Sequence, residues 1–390
     1  MKKILFILIP LLLFSCASSK TKTLEVQEKQ YFVPESNPPK PDELTLLFAG
    51  DVMAHTQNYR MQNYDKIWKD IREEVSSADF AFANIEAPVC QSIPWSSYPS
   101  FNMHEEYFNA CRNAGFNVFS LANNHTNDHY LEGIKGTREF TERIAQESRN
   151  TSRPVYFSGL KDSPDAPFSY CLIEKDGWRI LYVAVTQLLN RPDCSSYINY
   201  VPSKKDDKAK FVKWLKHLRK NNPCDIFILS LHTNEDEYVR PVTKFQQNWY
   251  NQLLDSGIDI LWANHTHLIK KQTRIFTDKR SRFPEKLLMC ANGNTISGQR
   301  SSPNFDMKFT ERDDTGDGLL YKVSLRKMPS NGKKYIFKTE RIFITTYINT
   351  ANEYIIKKLD DDFISYLKEN RPSWVEYIKK RKEICESIED

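Results

Sequence analysis

Short apolar runs alternate with amphipathic segments along most of the chain. The runs that predict buried strands are residues 44–49, 79–83, 116–121, 226–231, 258–263 and 287–291. Apolar residues recur at helical spacing in residues 67–75, 107–114, 131–144, 204–219 and 245–253. Residues 173 and 179–185 predict a further strand pair. Alternation of strands and helices predicts an α/β fold, in which helices cover a largely internal sheet.

The pattern changes after residue 318. Residues 319–325 and 334–348 predict two strands around a turn at residues 329–332. From residue 352 onward, the pattern predicts two charged amphipathic helices, interrupted at Pro372 because proline cannot continue a helix. We therefore divide the folded part of the chain into a main domain, residues 43–350, and a C-terminal helical extension, residues 351–390.

The N-terminus has the features of a targeting segment. Lys2 and Lys3 precede an apolar stretch, residues 4–14, that is too short to span a membrane as a helix. It ends in Leu13-Phe-Ser-Cys16, which resembles the bacterial lipobox, in which cleavage precedes a lipidated cysteine. We predict a signal peptide (1–15), lipidation at Cys16 and a solvated tether (16–42), with an ordinary secretory signal as the alternative. The expected location is the bacterial cell envelope, outside the cytoplasm and anchored to a membrane by acyl chains.

Charge and cysteine content exclude some classes of function. The formal charge of +5 would fall to +3 without residues 1–15, because two of the 55 basic residues would leave and all 50 acidic residues would remain. This charge is too small to predict nucleic-acid binding. None of the eight cysteines forms a CxxC motif, so a thiolate zinc site is not predicted. With Cys16 lipidated, seven remain, and Cys171 and Cys290 lie in apolar runs that predict buried thiols.

Polar side chains appear abruptly where five of the predicted strands end. These side chains are Asp51, His55, Asn84, Glu86, Asn123, Asn124, His125, Asp128, His232, Asn264, His265 and His267. In an open α/β sheet, ligands bind in the crevice at the carboxyl ends of the strands, so we expect the five clusters to converge. His265 and His267 would be neighbours if the loop bends at Thr266, or if the strand continues, since its side-chain period is two.

The combination of side chains favours a metal site over five unrelated turns. Carboxylates, a carboxamide and imidazoles without thiolates suit Mn, Fe or Zn, and they are too many for one tetrahedral ion. Two divalent ions sharing a carboxylate would use them, and such a pair activates water and binds the oxygens of an in-line displacement. Each motif alone has a simpler interpretation. Gly50-Asp51 is typical of a turn, and a lone His232 is typical of a core histidine.

The order of these motifs resembles the CapA family of poly-γ-glutamate synthesis and capsule proteins over about residues 44–297. That resemblance implies a calcineurin-like metallophosphatase fold, a β-sandwich flanked by helices in four layers (αββα). It also implies that Asp51 binds a first metal, that Glu86 bridges or flanks both metals, and that Asn124 binds the second. The remaining implied ligands and catalytic residues are His232, His265, His267, His125 and Asp128. His55 is a further candidate ligand, in place of an imidazole that such phosphatases carry where this chain has Met53.

Departures from the family pattern concern the pocket wall. The segment from His232 to Tyr238 lacks the family's glycine, and Ala263 replaces the glycine before the last histidine pair. The predicted function is metal-dependent hydrolysis or transfer in capsule or envelope polymer metabolism, on a phosphoester or a γ-linked amide. The alternatives are a non-catalytic scaffold that binds polymer, and a general phosphodiesterase. Expected partners are the membrane, a polyanionic polymer or phosphoester substrate, and capsule-synthesis membrane proteins, without nucleic acid.

Overall fold

A computed structural model describes residues 29–30, 43–279, 281–328 and 331–390. The predicted signal peptide with Cys16, most of the predicted tether and part of the turn at residues 329–332 lie outside these residues. Within the described part of the chain, no helix is long and apolar enough to cross a membrane.

Fifteen strands are present in the described residues. In chain order they are β1 Lys29–Gln30, β2 Glu43–Val52, β3 Phe80–Ile85, β4 Val118–Ser120, β5 Tyr156–Ser158, β6 Cys171–Lys175, β7 Trp178–Thr186, β8 Ile226–His232, β9 Ile260–Asn264, β10 Gln272–Ile275, β11 Lys286–Met289, β12 Asn294–Ile296, β13 Asp317–Lys327, β14 Lys334–Ile348 and β15 Tyr354–Lys358.

The same part of the chain forms ten α-helices and two short 3-10 segments, Ser195–Tyr197 and Pro372–Trp374. The α-helices are α1 Thr56–Tyr59, α2 Asp65–Trp68, α3 Arg72–Ser76, α4 Glu105–Asn113, α5 Tyr130–Ser148, α6 Lys205–Asn221, α7 Lys244–Asp255, α8 Glu311–Asp314, α9 Asp361–Asn370 and α10 Val375–Glu386.

The strands form two sheets. One has seven strands in the order β1-β6-β7-β8-β9-β11-β10, and the other has eight, in the order β15-β14-β13-β2-β3-β4-β5 with β12 also paired to β2. Strands β7, β8, β9 and β11 run parallel in the first sheet, and β2, β3, β4 and β5 run parallel in the second. The carboxyl ends of parallel strands meet at one edge of each sheet, which is where the predicted ligands follow in the sequence.

Alternating side chains of β8 show how the layers are arranged. Phe227 and Leu229 pack in one apolar cluster with the buried faces of α6 and α7, whereas Ile226 and Ile228 belong to the cluster shared with the second sheet. Because successive strand residues point to opposite faces, β8 is buried on both sides. Helices α2, α4 and α5 contribute buried residues to the cluster that includes the second sheet. The predicted architecture, two sheets flanked by helices, is thereby confirmed.

Aromatic side chains fill the space between the sheets below the polar edge. The ring of Trp262 on β9 lies 5.9 Å from that of Phe48 and 6.1 Å from that of Phe82, and its Nε1 donates to the carbonyl of Ala49 at 2.9 Å. Each buried aromatic side chain contributes about 1.5–3 kcal/mol of burial free energy. This contact ties β9 to β2 close to the predicted ligands, so the sheets hold a defined distance there.

A buried ionic network fastens the C-terminal helix α10 to the start of β13. Arg381 Nε donates to Asp317 Oδ2 at 2.7 Å, and Arg300 Nη1 donates to Asp317 Oδ1 at 2.8 Å. Burial alone would raise the pKa of Asp317, but the guanidinium groups of Arg381 and Arg300 lower it. Tyr377, also on α10, donates to Asp313 at 2.8 Å. The predicted extension therefore packs into the core of the main domain.

The structure corrects four details of the sequence-based prediction. Apolar residues in 67–75 belong to two short helices, α2 and α3, and Phe245 on α7 is exposed although Trp249 and Leu253 are buried. A strand, β15, pairs antiparallel with β14 before the two C-terminal helices, so that segment is not helical throughout. Within the predicted tether, β1 pairs with β6. Cys171 and Cys290 are buried thiols, as predicted.

Candidate metal centre

The eight-stranded sheet supplies the acidic side chains. Asp51 lies near the carboxyl end of β2 and is paired in register with Asn84 on β3, while β12 places Asn294 beside Asp51 on the other side. Gly50 is required before Asp51, because a Cβ there would lie 1.8 Å from the carbonyl oxygen of Gly293. Glycine at this position therefore lets β2 and the segment before β12 approach closely and brings Asn294 to the site.

The seven-stranded sheet supplies the imidazoles. His232 is the last residue of β8 and is paired with Asn264, the last residue of β9. His265 and His267 follow, with φ angles of 109° and 57° on either side of the buried Thr266. Positive φ is rare for residues other than glycine, and such strain occurs mainly at functional sites. Of the two arrangements predicted for these histidines, the structure contains the bend.

Asp51, Glu86 and His267 form a first group of candidate ligands, with one donor atom of each within 4.8 Å of the others. His267 Nδ1 lies 3.3 Å from Asp51 Oδ2, and His267 Nε2 lies 3.8 Å from Glu86 Oε1. Asn84 Nδ2 donates to Asp51 Oδ1 at 2.8 Å and to Glu86 Oε2 at 3.2 Å. One carboxamide thus engages one oxygen of each carboxylate and leaves the other oxygen of each facing His267.

Glu86, His232 and His265 form a second group within the same limit of 4.8 Å. His232 Nε2 lies 4.0 Å from Glu86 Oε1 and 2.8 Å from the side-chain oxygen of Asn124. The rings of His232 and His265 have centroids 4.9 Å apart. Glu86 belongs to both groups, so its carboxylate lies where a bridge between two ions would be. The contacts between His232 and Asn124 and between His267 and Asp51 join the two sheets.

The electrostatics of these side chains fit a divalent cation. Glu86 Oε1, His232 Nδ1 and His265 Nδ1 are buried and have no hydrogen-bond partner in the part of the chain that the structure describes. Burial and the neighbouring Asp51 raise the pKa of Glu86, while burial and His267 lower the pKa of His265 to about 4. Burial alone would lower the pKa of His267, but its contact with Asp51 raises it. A cation would satisfy the unpaired oxygen and use the neutral imidazoles as ligands.

His125 and Asp128, the predicted catalytic residues, form a buried pair beside this centre. His125 Nδ1 lies 2.7 Å from Asp128 Oδ2, which also accepts from the backbone N–H of Phe101 at 2.6 Å. A carboxylate can only accept, so Nδ1 carries the hydrogen and Nε2 is the ring nitrogen left for proton transfer. The Phe101 ring packs edge-on against His125 at 4.7 Å and restricts its rotation.

Two histidines near the predicted clusters do not join the candidate ligands. His55 is buried beside the site, but its Nδ1 accepts from the backbone N–H of Gly298 at 3.1 Å, and it belongs to neither ligand group of the described residues. Burial and the neighbouring His267 lower the pKa of His55 to about 3. His129 lies 2.9 Å from the hydroxyl of Ser96. His55 is therefore a neighbour of the centre, and its predicted role as a ligand has no support in the geometry.

Sequence analysis assigned no role to three residues that contact the ligands or border them. Asn84 stands two positions before Glu86, and Asn294 places its side-chain oxygen 3.0 Å from His267 Nδ1. Glu237 borders the centre; burial would raise its pKa, but His267, the hydrogen bond with Tyr238 and the other nearby imidazoles together lower it. The sequence does contain signals for these residues, namely Asn84-Ile-Glu86, Gly293-Asn294 and the acidic segment after β8, but none of them predicts a particular contact.

A cavity of about 940 Å³ opens next to the candidate ligands. Its wall includes His125, His267, Glu237 and Tyr238. A space of this size is typical of a ligand site and adjoins both the histidine–aspartate pair and the candidate metal centre. The arrangement can therefore present a bound group to acidic, basic and metal-binding side chains together.

The fold has two sheets flanked by helices, and carboxylates and imidazoles gather at the carboxyl ends of its parallel strands. These features define an α/β protein with a candidate metal centre. The chain belongs to the family described as bacterial capsule synthesis protein PGA_cap, whose profile matches residues 45–299. The capsule biosynthesis protein CapA of Bacillus anthracis is 22% identical over 353 residues, which are 87% of this chain and 81% of that protein. The resemblance to the CapA family is confirmed.

Two solved structures of low sequence similarity are a phosphatase and a phosphoesterase. A phosphatase from Mycoplasma pneumoniae is 16% identical, with a TM-score of 0.46, and the match covers 78% of this chain and 95% of that one. The calcineurin-like phosphoesterase YfkN from Bacillus subtilis is 11% identical, with a TM-score of 0.42, and the match covers 87% of this chain and 100% of that one.

Proposed function

We propose that this protein is a metal-dependent hydrolase that processes an anionic polymer of the bacterial capsule or cell envelope. Membership of the capsule synthesis family supports the role in polymer metabolism. The candidate ligands support hydrolysis of a phosphoester, or of an amide in a γ-linked peptide. Two divalent ions, of Mn, Fe or Zn, suit the set of oxygen and nitrogen donors.

The observation that carries this proposal is the position of Glu86. Its carboxylate is fully buried, belongs to both candidate ligand groups, and has one oxygen without a hydrogen-bond partner among the described residues. A buried carboxylate beside a second one is costly unless a cation compensates both. Glu86 would therefore be the shared ligand of two ions.

The remaining ligands divide between the two ions. Asp51 and His267 would complete the first ion's shell, while His232 and His265 would complete the second. Asn124 lies beside the ligands of the second ion, through its contact with His232. Bound divalent ions lower the pKa of water and polarise the bond to be broken.

The protein's own groups perform the proton transfer. Asp128 holds the hydrogen on His125 Nδ1 and fixes the orientation of the ring. When Nε2 also carries a hydrogen, it is the atom that donates a proton to the leaving oxygen or nitrogen, and the ring is left neutral with its remaining hydrogen on Nδ1. The buried Phe101 excludes water from one side of this pair.

The proposed location is the cell envelope. The N-terminal motif ending at Cys16 supports a lipid anchor, and residues 16–42 would separate that anchor from the folded domain. A short tether keeps the cavity near a membrane surface, where capsule-synthesis membrane proteins would deliver or receive polymer.

The test combines metal analysis with turnover. The full-length chain, purified in detergent, is loaded with Mn²⁺ or Zn²⁺, dialysed, and analysed by plasma mass spectrometry. Hydrolysis of bis(p-nitrophenyl) phosphate and depolymerisation of poly-γ-glutamate are then measured. We expect about two metal equivalents in wild type and near-complete loss of both metal and turnover in Glu86→Gln. Glu369→Gln makes the same substitution at an exposed position on α9, and it should retain both metal and turnover.

Each outcome separates the alternatives. Turnover of the small phosphoester without any action on polymer would favour a general phosphodiesterase. Metal-loaded protein without turnover of either substrate would favour a polymer-binding scaffold. Wild-type metal content in a folded Glu86→Gln protein would refute the shared-ligand assignment.

A further inference from the structure

Three guanidinium groups line the cavity beside the candidate metal centre, and two of them have no acidic partner among the residues that the structure describes. Arg300 is buried and paired with Asp317 at 2.8 Å. Arg191 and Arg312 form no ion pair with a carboxylate among the described residues, and both face the same cavity. An arginine that is ordered without a counter-ion is available to bind an anionic group of a ligand.

Both unpaired guanidinium groups are held in place by a tyrosine. Arg191 lies 5.0 Å from the ring centroid of Tyr130, and its Nη1 donates to that hydroxyl at 2.9 Å. Arg312 lies 4.8 Å from the ring centroid of Tyr238, with Nη1 3.3 Å from that hydroxyl. Stacking on an aromatic face orients the guanidinium group without neutralising it. Each arginine therefore keeps its charge and loses much of its freedom before a ligand binds.

The two arginines stand on different sides of the candidate metal centre. Arg191 follows Asn190, whose backbone N–H donates to the carbonyl of Asn124 at 3.0 Å, so Arg191 belongs to the His125 side. Arg312 contacts Tyr238, whose ring lies 6.0 Å from that of His267, so Arg312 belongs to the opposite group of ligands.

The acids on the cavity wall do not cancel these charges. Asp128 is hydrogen-bonded to His125. Glu237 interacts chiefly with the imidazole of His267 and with Tyr238. The charge left for a ligand is therefore that of the two arginines, in a cavity of about 940 Å³ that is larger than a single phosphate group needs.

We propose that Arg191 and Arg312 each bind an anionic group of one extended substrate, on either side of the bond to be broken. The substrate class is then a chain with repeated carboxylate or phosphate groups, and these arginines determine its selection over a small phosphoester. This inference rests on the proposed function for the location of the reacting bond. The binding of the polyanion itself does not require the metal ions.

The test measures polymer binding and small-substrate turnover separately. Full-length protein in detergent is treated with EDTA, and its affinity for a fluorescent γ-glutamate octamer and a fluorescent glycerol-phosphate octamer is measured by anisotropy. Arg191→Gln and Arg312→Gln should each weaken binding of at least one octamer by about tenfold or more, since each removes a charge-assisted contact. Arg191→Lys should recover part of the loss. Arg149→Gln removes the same charge at an exposed position at the end of α5, and it should not change octamer binding.

Metal-loaded protein provides the second measurement. Hydrolysis of bis(p-nitrophenyl) phosphate, which carries a single charge, should change less than threefold, by our estimate, in the two glutamine variants, because the flanking subsites stay empty. The octamer whose binding depends on both arginines identifies the charged group as carboxylate or phosphate.

Three results would overturn the inference. They are equal octamer binding in the variants and wild type, dependence on only one arginine, and loss of small-substrate turnover in parallel with octamer binding. Octamer binding that depends on both arginines, in a protein that hydrolyses nothing, would support the subsites and refute the hydrolase proposal.

Discussion

Replacing Asn84 with alanine tests how the two carboxylates are held. Asn84 is fully buried and donates to Asp51 Oδ1 at 2.8 Å and to Glu86 Oε2 at 3.2 Å, so one side chain orients both acids. Without it, each carboxylate can rotate, and the oxygens that face His267 are no longer directed toward the site. Loss of a hydrogen bond that orients a metal ligand lowers metal affinity by about 10–100-fold, which is about 1.4–2.8 kcal/mol, without removing a ligand.

The assay is a competition titration of Mn²⁺ or Zn²⁺ against a chromophoric chelator, with metal stoichiometry measured at saturation. We expect weaker affinity at unchanged stoichiometry, and a smaller rise in melting temperature when metal is added. Asn199→Ala is the matched control, because Asn199 is equally buried but donates to the backbone oxygens of Ser169 and Ala184. It should destabilise the fold and leave metal affinity unchanged. A folded Asn84→Ala protein with wild-type affinity would refute the positioning role.

Three further changes have defined outcomes. His267→Ala should lose about one metal equivalent, as measured by plasma mass spectrometry. Asn113→Ala, at the exposed end of α4, should lose none. A folded His267→Ala protein with the wild-type metal count would contradict the two-ion assignment. Arg381→Met leaves Asp317 buried without its main partner and should cost roughly 3–5 kcal/mol in chemical denaturation at neutral pH. The lowered pKa of Asp317 adds stability above the ordinary carboxyl pKa of about 3.9, and this stability is lost as pH falls through the lowered value. The difference in unfolding free energy between Arg381→Met and wild type should therefore narrow in acid. A difference that stays constant with pH would count against the ion pair. Cys16→Ser should release the protein from the membrane fraction or leave an uncut precursor, and wild-type protein that is soluble and unacylated would exclude the lipid anchor.

The order of strands and helices in the main domain could be predicted because its signals are local. Apolar runs such as residues 226–231 are short and bounded by turns, and they correspond to β8 within one residue. β15 could not be predicted in this way. Its sequence, Tyr354–Lys358, is short and is followed by charged helices, and its strand conformation depends on pairing with β14. Although β14 directly precedes β15 in the chain, strand formation depends on the cross-strand partner, and hydrophobic periodicity within five residues does not report that partner.

The candidate site shows the same division. That polar residues end five strands, and that these residues suit a metal, follows from residue type and spacing. The absence of His55 from both ligand groups of the described residues does not follow, because its Nδ1 is engaged by the backbone of Gly298, 243 positions away. Likewise, the sequence places Asn84 among the polar side chains at a strand end, whereas its contacts with two carboxylates depend on the register of β2 and β3.

By itself, the sequence determined the α/β class, the family and the side chains that could bind metal, because hydrophobic period and side-chain chemistry are properties of neighbouring residues. Only the tertiary structure decided that Glu86 is shared between two ligand groups and that Arg191 and Arg312 line the adjoining cavity without a carboxylate partner among the described residues. Those relations depend on how the two sheets pack face to face, with Trp262 joined to Ala49 across 213 positions of the chain. Distances of a few ångströms between residues so far apart arise from packing, which local sequence patterns do not encode.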